Sequence, residues 1–237
     1  MDTGAAVHHL QTYERVWRDF DLINEAQPTK ANGAPGRLDP SGQTAGIRLG
    51  LPFCRDLTPD SVDDPELSRF IAAHPQSTYS TVQLACTFTP DADDEYTRAT
   101  LQVFLSRADD QNTPPLPVAY SMSPRRQVDT GTPVTFTLTA SVLFVEAAVE
   151  MTRPLRRDKV FLQAMNIKLP DPGWEFRRTP KSRIDGPHDL ALVTVAPTNV
   201  PVHGRLAVNA EVRRKGMPGW FRTRPEDAAA LTFTITG

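Results

Sequence analysis

The chain has 237 residues, 22 of them proline, with 39% hydrophobic and 8% aromatic content and a formal net charge of −2. That length can bury a sizeable core in one domain, and the proline content fits short strands between marked turns better than a helical bundle. There is no apolar run of about 18 residues and the first 25 residues are charged throughout, so neither a membrane-spanning helix nor a secretory signal is expected, and the expectation is a soluble, cytoplasmic protein.

The small net charge conceals a lopsided chain. Residues 1–120 carry 9 basic and 17 acidic side chains, whereas residues 121–237 carry 17 and 11. Such a chain either offers a basic face to an anionic partner or matches it to an acidic face of its own or of a neighbour. The only cysteines are Cys54 and Cys86, fewer than a secreted disulfide scaffold uses.

In chain order, residues 5–24 read as an amphipathic helix. Val7, Leu10, Tyr13, Trp17 and Phe20 recur at spacings of three and four, and Thr3 is a suitable N-cap. This helix either packs on its own domain or serves as an arm that docks on a neighbour through Trp17 and Phe20. Residues 26–46 are polar and rich in glycine and proline, the composition of a linker. As flexible coil, some 20 residues reach roughly 25 Å, enough to cross to another molecule.

A β-sandwich domain is expected over residues 47–237. Ile47, Leu49, Leu51 and Phe53 alternate as a short strand. Asp64 as N-cap, Pro65 at the first turn and Pro75 just beyond the end delimit a short helix that buries Leu67, Phe70 and Ile71. Tyr79–Phe88 and Ala99–Leu105 are strands, and the acidic stretch 90–95 between them reads as a hairpin-like turn. Cys86 shares a strand face with Val82, Leu84 and Phe88, which predicts a buried thiol.

Further strands are expected at Leu116–Ser121, Val160–Leu169, Trp174–Arg178, Leu190–Ala196, Arg205–Arg213 and Leu231–Thr236. The longest alternating stretch is 132–152, whose apolar phase flips near Leu143–Val145, the mark of a bulge or bend. About ten strands with one-sided alternation imply a two-sheet β-sandwich or jelly-roll-like domain, with an N-terminal amphipathic helix and one short helix.

Catalytic motifs are sparse. There is no G-x-S-x-G, no H-E-x-x-H, no paired C-x-x-C and no glycine-rich phosphate loop. His188-Asp189 lies in a turn before a strand, where local hydrogen bonding explains both residues and an assembled catalytic site is the competing reading. Asp91, Asp93, Asp94 and Glu95 offer oxygen ligands, but Tyr96 and Gln102 stand where a calcium loop needs glycine and glutamate. No metal and no cofactor is expected.

The C-terminal third is the most distinctive region. Trp174 and Phe176 are followed by Arg177, Arg178, Lys181 and Arg183, and the mixture returns in Arg213, Arg214, Trp220 and Arg222. Aromatic and basic residues interleaved in this way suit an acidic protein surface, or single-stranded nucleic acid stacked on the rings. The bland reading is aromatic core residues beside solvated arginines. The expectation is a non-catalytic protein-interaction or assembly module, acting with a protein partner or a copy of itself through the arm and this edge. A shell- or coat-forming jelly-roll protein and a hydrolase-type enzyme built from distant loops are the alternatives.

Overall fold

A computed structural model describes residues 17–25, 46–62, 65–90, 92–109, 114–129, 159–214, 221–225 and 231–236, with the backbone alone for 17–25, 214, 221–225 and 236. Two antiparallel sheets enclose one core, and one α-helix lies outside it.

The first sheet contains β2 (Gly46–Gly50), β3 (Phe53–Leu57), β4 (Ser77–Thr89), β6 (Val118–Ser123) and β10 (Gly186–Pro197), in the order β6-β10-β4-β2. The second contains β5 (Asp94–Arg107), β7 (Arg126–Val128), β8 (Val160–Met165), β9 (Gly173–Arg177), β11 (Val202–Arg214), β12 (Phe221–Pro225) and β13 (Leu231–Thr236), in the order β12-β11-β5-β9-β8-β7. Two long strands anchor the pairing. Each serves two short partners on one flank: β4 takes β2 and β3, and β11 takes β12 and β13.

The remaining strand, β1 (Trp17–Glu25), belongs to both sheets. Trp17 to Asp21 pair with β2, and Leu22 to Glu25 pair with β12. The expected helix over residues 5–24 is therefore corrected from Trp17 onward, and residues 5–16 lie outside the described residues. Spacings of three and four from Trp17 to Phe20 suit a helix, but Phe20 and Leu22 also alternate with Asp19 and Asp21. The open backbone edges of β2 and β12 supply hydrogen bonds that decide between the two.

Expected strands elsewhere appear with adjusted ends, and the described residues form thirteen strands rather than about ten. The single strand expected over Ile47–Phe53 is two, separated at Leu51 and Pro52. Proline supplies no N–H for the ladder, which suits a break there. The alternating stretch 132–152 lies outside the described residues.

The turn over residues 90–95 is not a hairpin, because β4 and β5 lie in different sheets. It carries the chain across the sandwich, as the link from β10 to β11 does again. Phe88 and Tyr96 meet across the interior at this crossing, with ring centroids 5.4 Å apart, and the Tyr96 hydroxyl donates to the Gly46 carbonyl at 3.0 Å.

Inward positions fill the core by strict alternation. Val82, Leu84, Cys86 and Phe88 of β4 and Leu190 and Leu192 of β10 face Leu101, Val103, Leu105, Leu206, Val208 and Trp174 of the second sheet. Helix α1 (Pro65–Ala72) covers part of the first sheet's outer face, packing Leu67 and Ile71 on Leu57, Tyr79, Ala191 and Val193. Its apolar stripe and proline start are as the sequence predicts.

The tightest backbone approach is at Gly173, where a Cβ would lie 2.7 Å from the Leu101 carbonyl oxygen. Backbone on the neighbouring strand cannot give way as a flexible side chain can. Gly173→Ala is expected to lower the unfolding free energy by about 1–3 kcal/mol in urea denaturation. Gly46→Ala, whose Cβ meets no described atom within 4 Å, should stay within about 0.5 kcal/mol of the parent.

Candidate functional site

Strand β9 separates the aromatic residues of the basic edge from its charges. Trp174 and Phe176 project inward and are 0% exposed. The Trp174 indole N–H donates to the Pro124 carbonyl at 3.0 Å, so its one polar atom is satisfied inside the core. Phe176 contacts Phe88 at 5.2 Å and Phe161 at 6.3 Å between ring centroids. Neither ring presents a face to a partner at the surface.

The alternate positions carry charge outward. Glu175 is 4% exposed and is clamped by two arginines. Arg177 Nε donates to Oε2 at 2.7 Å, and Arg98 pairs with Oε1. Arg178 pairs with Glu95. Lys181 and Arg183 are exposed in the turn that follows, where the Lys181 backbone N–H and the Ser182 hydroxyl donate to the Asp129 carboxylate at 3.2 and 2.8 Å.

Arg213 and Arg214 end β11 in register with Glu95 and Asp94 of β5. Trp220 lies outside the described residues. Trp17 and Phe20 lie on β1, and Arg222 lies on β12, with only their backbone described. Arg222 pairs in register with Glu211 on one side and Glu25 on the other, and Glu211 pairs in turn with Arg98. A row of positions therefore crosses five strands as Arg177, Arg98, Glu211, Arg222 and Glu25. Positions from both halves of the chain thus mix the two signs in one sheet, with Arg177 opposite Arg98 as a like-charged pair in this row. Opposite charges in directly paired positions stabilise a sheet, and such a face lacks the unbroken positive field that draws nucleic acid.

His188 and Asp189 do not converge. As neighbours on β10 they lie on opposite faces, and Asp189 is exposed. The His188 ring is enclosed by Phe88, Phe161 and Phe176, with centroids 5.7, 5.8 and 5.0 Å away, and its Nε2 is buried without a hydrogen-bond partner. Its register partner is Cys86. Burial drives the Cys86 thiol far above the usual range, with Asp189 adding to the effect; burial, followed by Asp56, pushes the Cys54 thiol up to about 12. Both thiols are free, and neither is an activated nucleophile.

Of the acidic loop, Asp91 lies outside the described residues, Glu95 is engaged by Arg178, and Asp94 pairs in register with Arg214. Among the described residues, no three His, Cys, Asp or Glu side chains gather into a metal-binding group, and no helix is long and apolar enough to cross a membrane.

One cluster has no counterpart in the sequence patterns. Lys168 sits in the β8–β9 loop with its ammonium 3.5 Å from the centre of the Tyr120 ring, and Arg125 lies at the nearby corner between β6 and β7. A lysine and an arginine 43 positions apart form no motif. The left-handed backbone at Lys168 and the pairing of its loop with β6 set the ammonium over the Tyr120 ring.

No protein-family model matches this chain, and no curated protein matches it either.

The caged imidazole gives a pH dependence of definite sign. Burial lowers the His188 pKa, against the opposing pull of the Asp185 backbone and of the Asp185 and Asp189 charges. The unfolded ring takes its proton near pH 6.5, before the folded ring does. Its contribution to stability is therefore complete above that pH and declines as the pH falls through the folded value. Stability should drop on acidification below about 6.5, with this one proton adding a slope of at most about 1.4 kcal/mol per pH unit. Urea titrations of the parent and of His188→Phe, run from neutral to mildly acidic pH, should diverge in slope. Parallel profiles would remove His188 as the cause.

Proposed function

We propose that this protein is a non-catalytic protein-interaction or assembly module, and that its exchangeable element is the N-terminal segment. The observation that carries the reading is the position of β1, which joins the sandwich through backbone pairing to β2 on one sheet and β12 on the other. Residues 26–45 join β1 to β2, and at most about 3.5 Å per extended residue gives them a limiting reach of roughly 70 Å. A strand on so long a connection makes the same backbone hydrogen bonds whether the receiving sheets belong to its own chain or to another. Exchange of an identical element between copies is a low-cost route to assembly for that reason.

The second supporting observation is chemical. The outer face of the second sheet carries arginines and carboxylates in register, including Arg98, Arg177, Glu211 and Arg213. Rows of mixed sign favour a protein surface of complementary pattern over a uniformly anionic polymer. This face replaces the aromatic part of the basic edge as the contact surface, because Trp174 and Phe176 are in the core.

Asp19 and Arg48 are register partners between β1 and β2, which permits a direct test. Asp19→Cys and Arg48→Cys would be made on separate full-length chains in a Cys54→Ser background and mixed under mild oxidation. A covalent heterodimer containing one of each, together with a multimeric mass by light scattering, is the expected outcome. A monomeric mass, with crosslinking confined to a chain carrying both substitutions, would refute assembly through β1.

A further inference from the structure

The caged imidazole stands in one row with the N-terminal strand. His188 on β10 is the register partner of Cys86 on β4, Cys86 of Leu49 on β2, and Leu49 of Arg18 on β1. The neighbouring row crosses the same four strands as Gly186, Phe88, Ile47 and Phe20. Both rows attach the first half of β1 to the sandwich through β2, a strand of only five residues.

The walls of the cage are also the supports of β2. Phe88 lies 5.7 Å from the His188 ring between centroids and is the register partner of Ile47, which is 0% exposed. Tyr96 packs edge-on against Phe88, and its hydroxyl donates to the carbonyl of Gly46, the first residue of β2 and the partner of Asp21. Phe161 and Phe176 close the cage from the second sheet. The ring is thus a spacer between the two sheets, at the place where β1 is attached.

A neutral imidazole suits that position and an imidazolium does not. Both ring nitrogens are donors in the charged form, and the enclosed Nε2 has no acceptor among the described residues. A buried donor left unpaired costs about 1–3 kcal/mol, and more when it is charged. Few ionisable groups bear on the ring. Asp185 and Asp189, from the preceding turn and from β10 itself, favour the proton, but burial outweighs them. Strand β4 brings the Cys86 thiol, β5 the Tyr96 hydroxyl already engaged by Gly46, and β8 and β9 bring phenyl rings, with Glu175 turned away to its arginines. The charged ring reaches water only where the phenyl rings part.

We propose that protonation of His188 opens this corner of the sandwich and releases β1 from β2. Water gains Nε2 as Phe88 moves off the imidazole, and the same movement withdraws the packing beside Ile47 and loosens the Tyr96 contact with Gly46. In an assembly held by exchanged β1 strands, acid would then set the rate of exchange. That consequence rests on the reading of β1 as the exchangeable element, whereas release of β1 from its own sheet does not.

The test reads the two steps separately in the full-length chain. Amide hydrogen exchange of residues 17–25, corrected for the intrinsic rate, would be followed at about pH 7.5 and about pH 5, on either side of the ordinary histidine range. Protection of β1 should fall on acidification, by up to about tenfold per pH unit below the folded titration point, while β5 and β11 keep theirs. His188→Leu and His188→Gln should each abolish the fall, and either variant suffices if the other does not fold. His74 and His203 remain in both variants, which separates their protons from that of His188. Mixing isotopically light and heavy chains reads exchange between copies, which should quicken at the lower pH in the parent alone. Loss of β1 protection without such exchange would uphold the release and count against assembly through β1. Protection of β1 that ignores pH, that falls equally in both variants, or that falls together with β5 and β11 would overturn the proposal.

Discussion

The seal between the two sheets turns on Trp174. Its indole is wholly buried, and its N–H reaches the carbonyl of Pro124, at the corner where the chain leaves β6 in one sheet for β7 in the other. A buried indole N–H without an acceptor would cost more than the bond itself contributes, so this contact fixes how β9 meets the corner. Much else follows from that placement. Phe176, two positions on, forms part of the wall around His188, while Glu175 between them is turned outward to its two arginines. Arg125 follows Pro124 at the same corner, where its carbonyl accepts from the Ala164 N–H. Three consecutive residues of one short strand organise the core and the charged face.

Much of this architecture is legible in the sequence. The alternation in β4, β5, β10, β11 and β13 survives because each has one face in a dry interior, where a single misplaced polar group would be costly. Helix α1 is legible for a local reason, since proline at its start and an apolar stripe act within one stretch of chain. What the sequence withholds is of another kind. The segment Trp17–Glu25 carries both a three–four spacing and a two-residue alternation, and only the unpaired edges of β2 and β12 resolve it. The acidic turn 90–95 looks the same whether it joins neighbours in one sheet or crosses the core. The Phe88–Tyr96 contact that decides the matter is formed only after folding.

The candidate site was legible only in composition. Aromatic and basic residues do concentrate around 174–183, but a strand sends successive side chains to opposite faces, so rings and arginines that are adjacent in sequence end up in different surroundings. The lopsided distribution of charge along the chain has a comparable outcome. The register between β5 and β11 sets Asp94 and Glu95 opposite Arg214 and Arg213, so part of the imbalance is spent inside one sheet. Separation along the chain is not separation in space. Conversely, the seat of Lys168 over the Tyr120 ring gives no sequence signal, because a lone lysine in a connecting segment belongs to no pattern.

The two thiols have a consequence of their own. A group held at about 12, as Cys54 is, exists as thiolate in roughly one molecule in a hundred thousand at neutral pH, and Cys86 is held higher still. Exchange with small disulfides and thiol attack on peroxides proceed through the thiolate, so the two thiols of the folded chain are slow to react with either. Its fold is thereby indifferent to the redox poise of its surroundings. Cys86 would meet an oxidant only in a molecule whose two sheets had come apart, so its modification marks that opening.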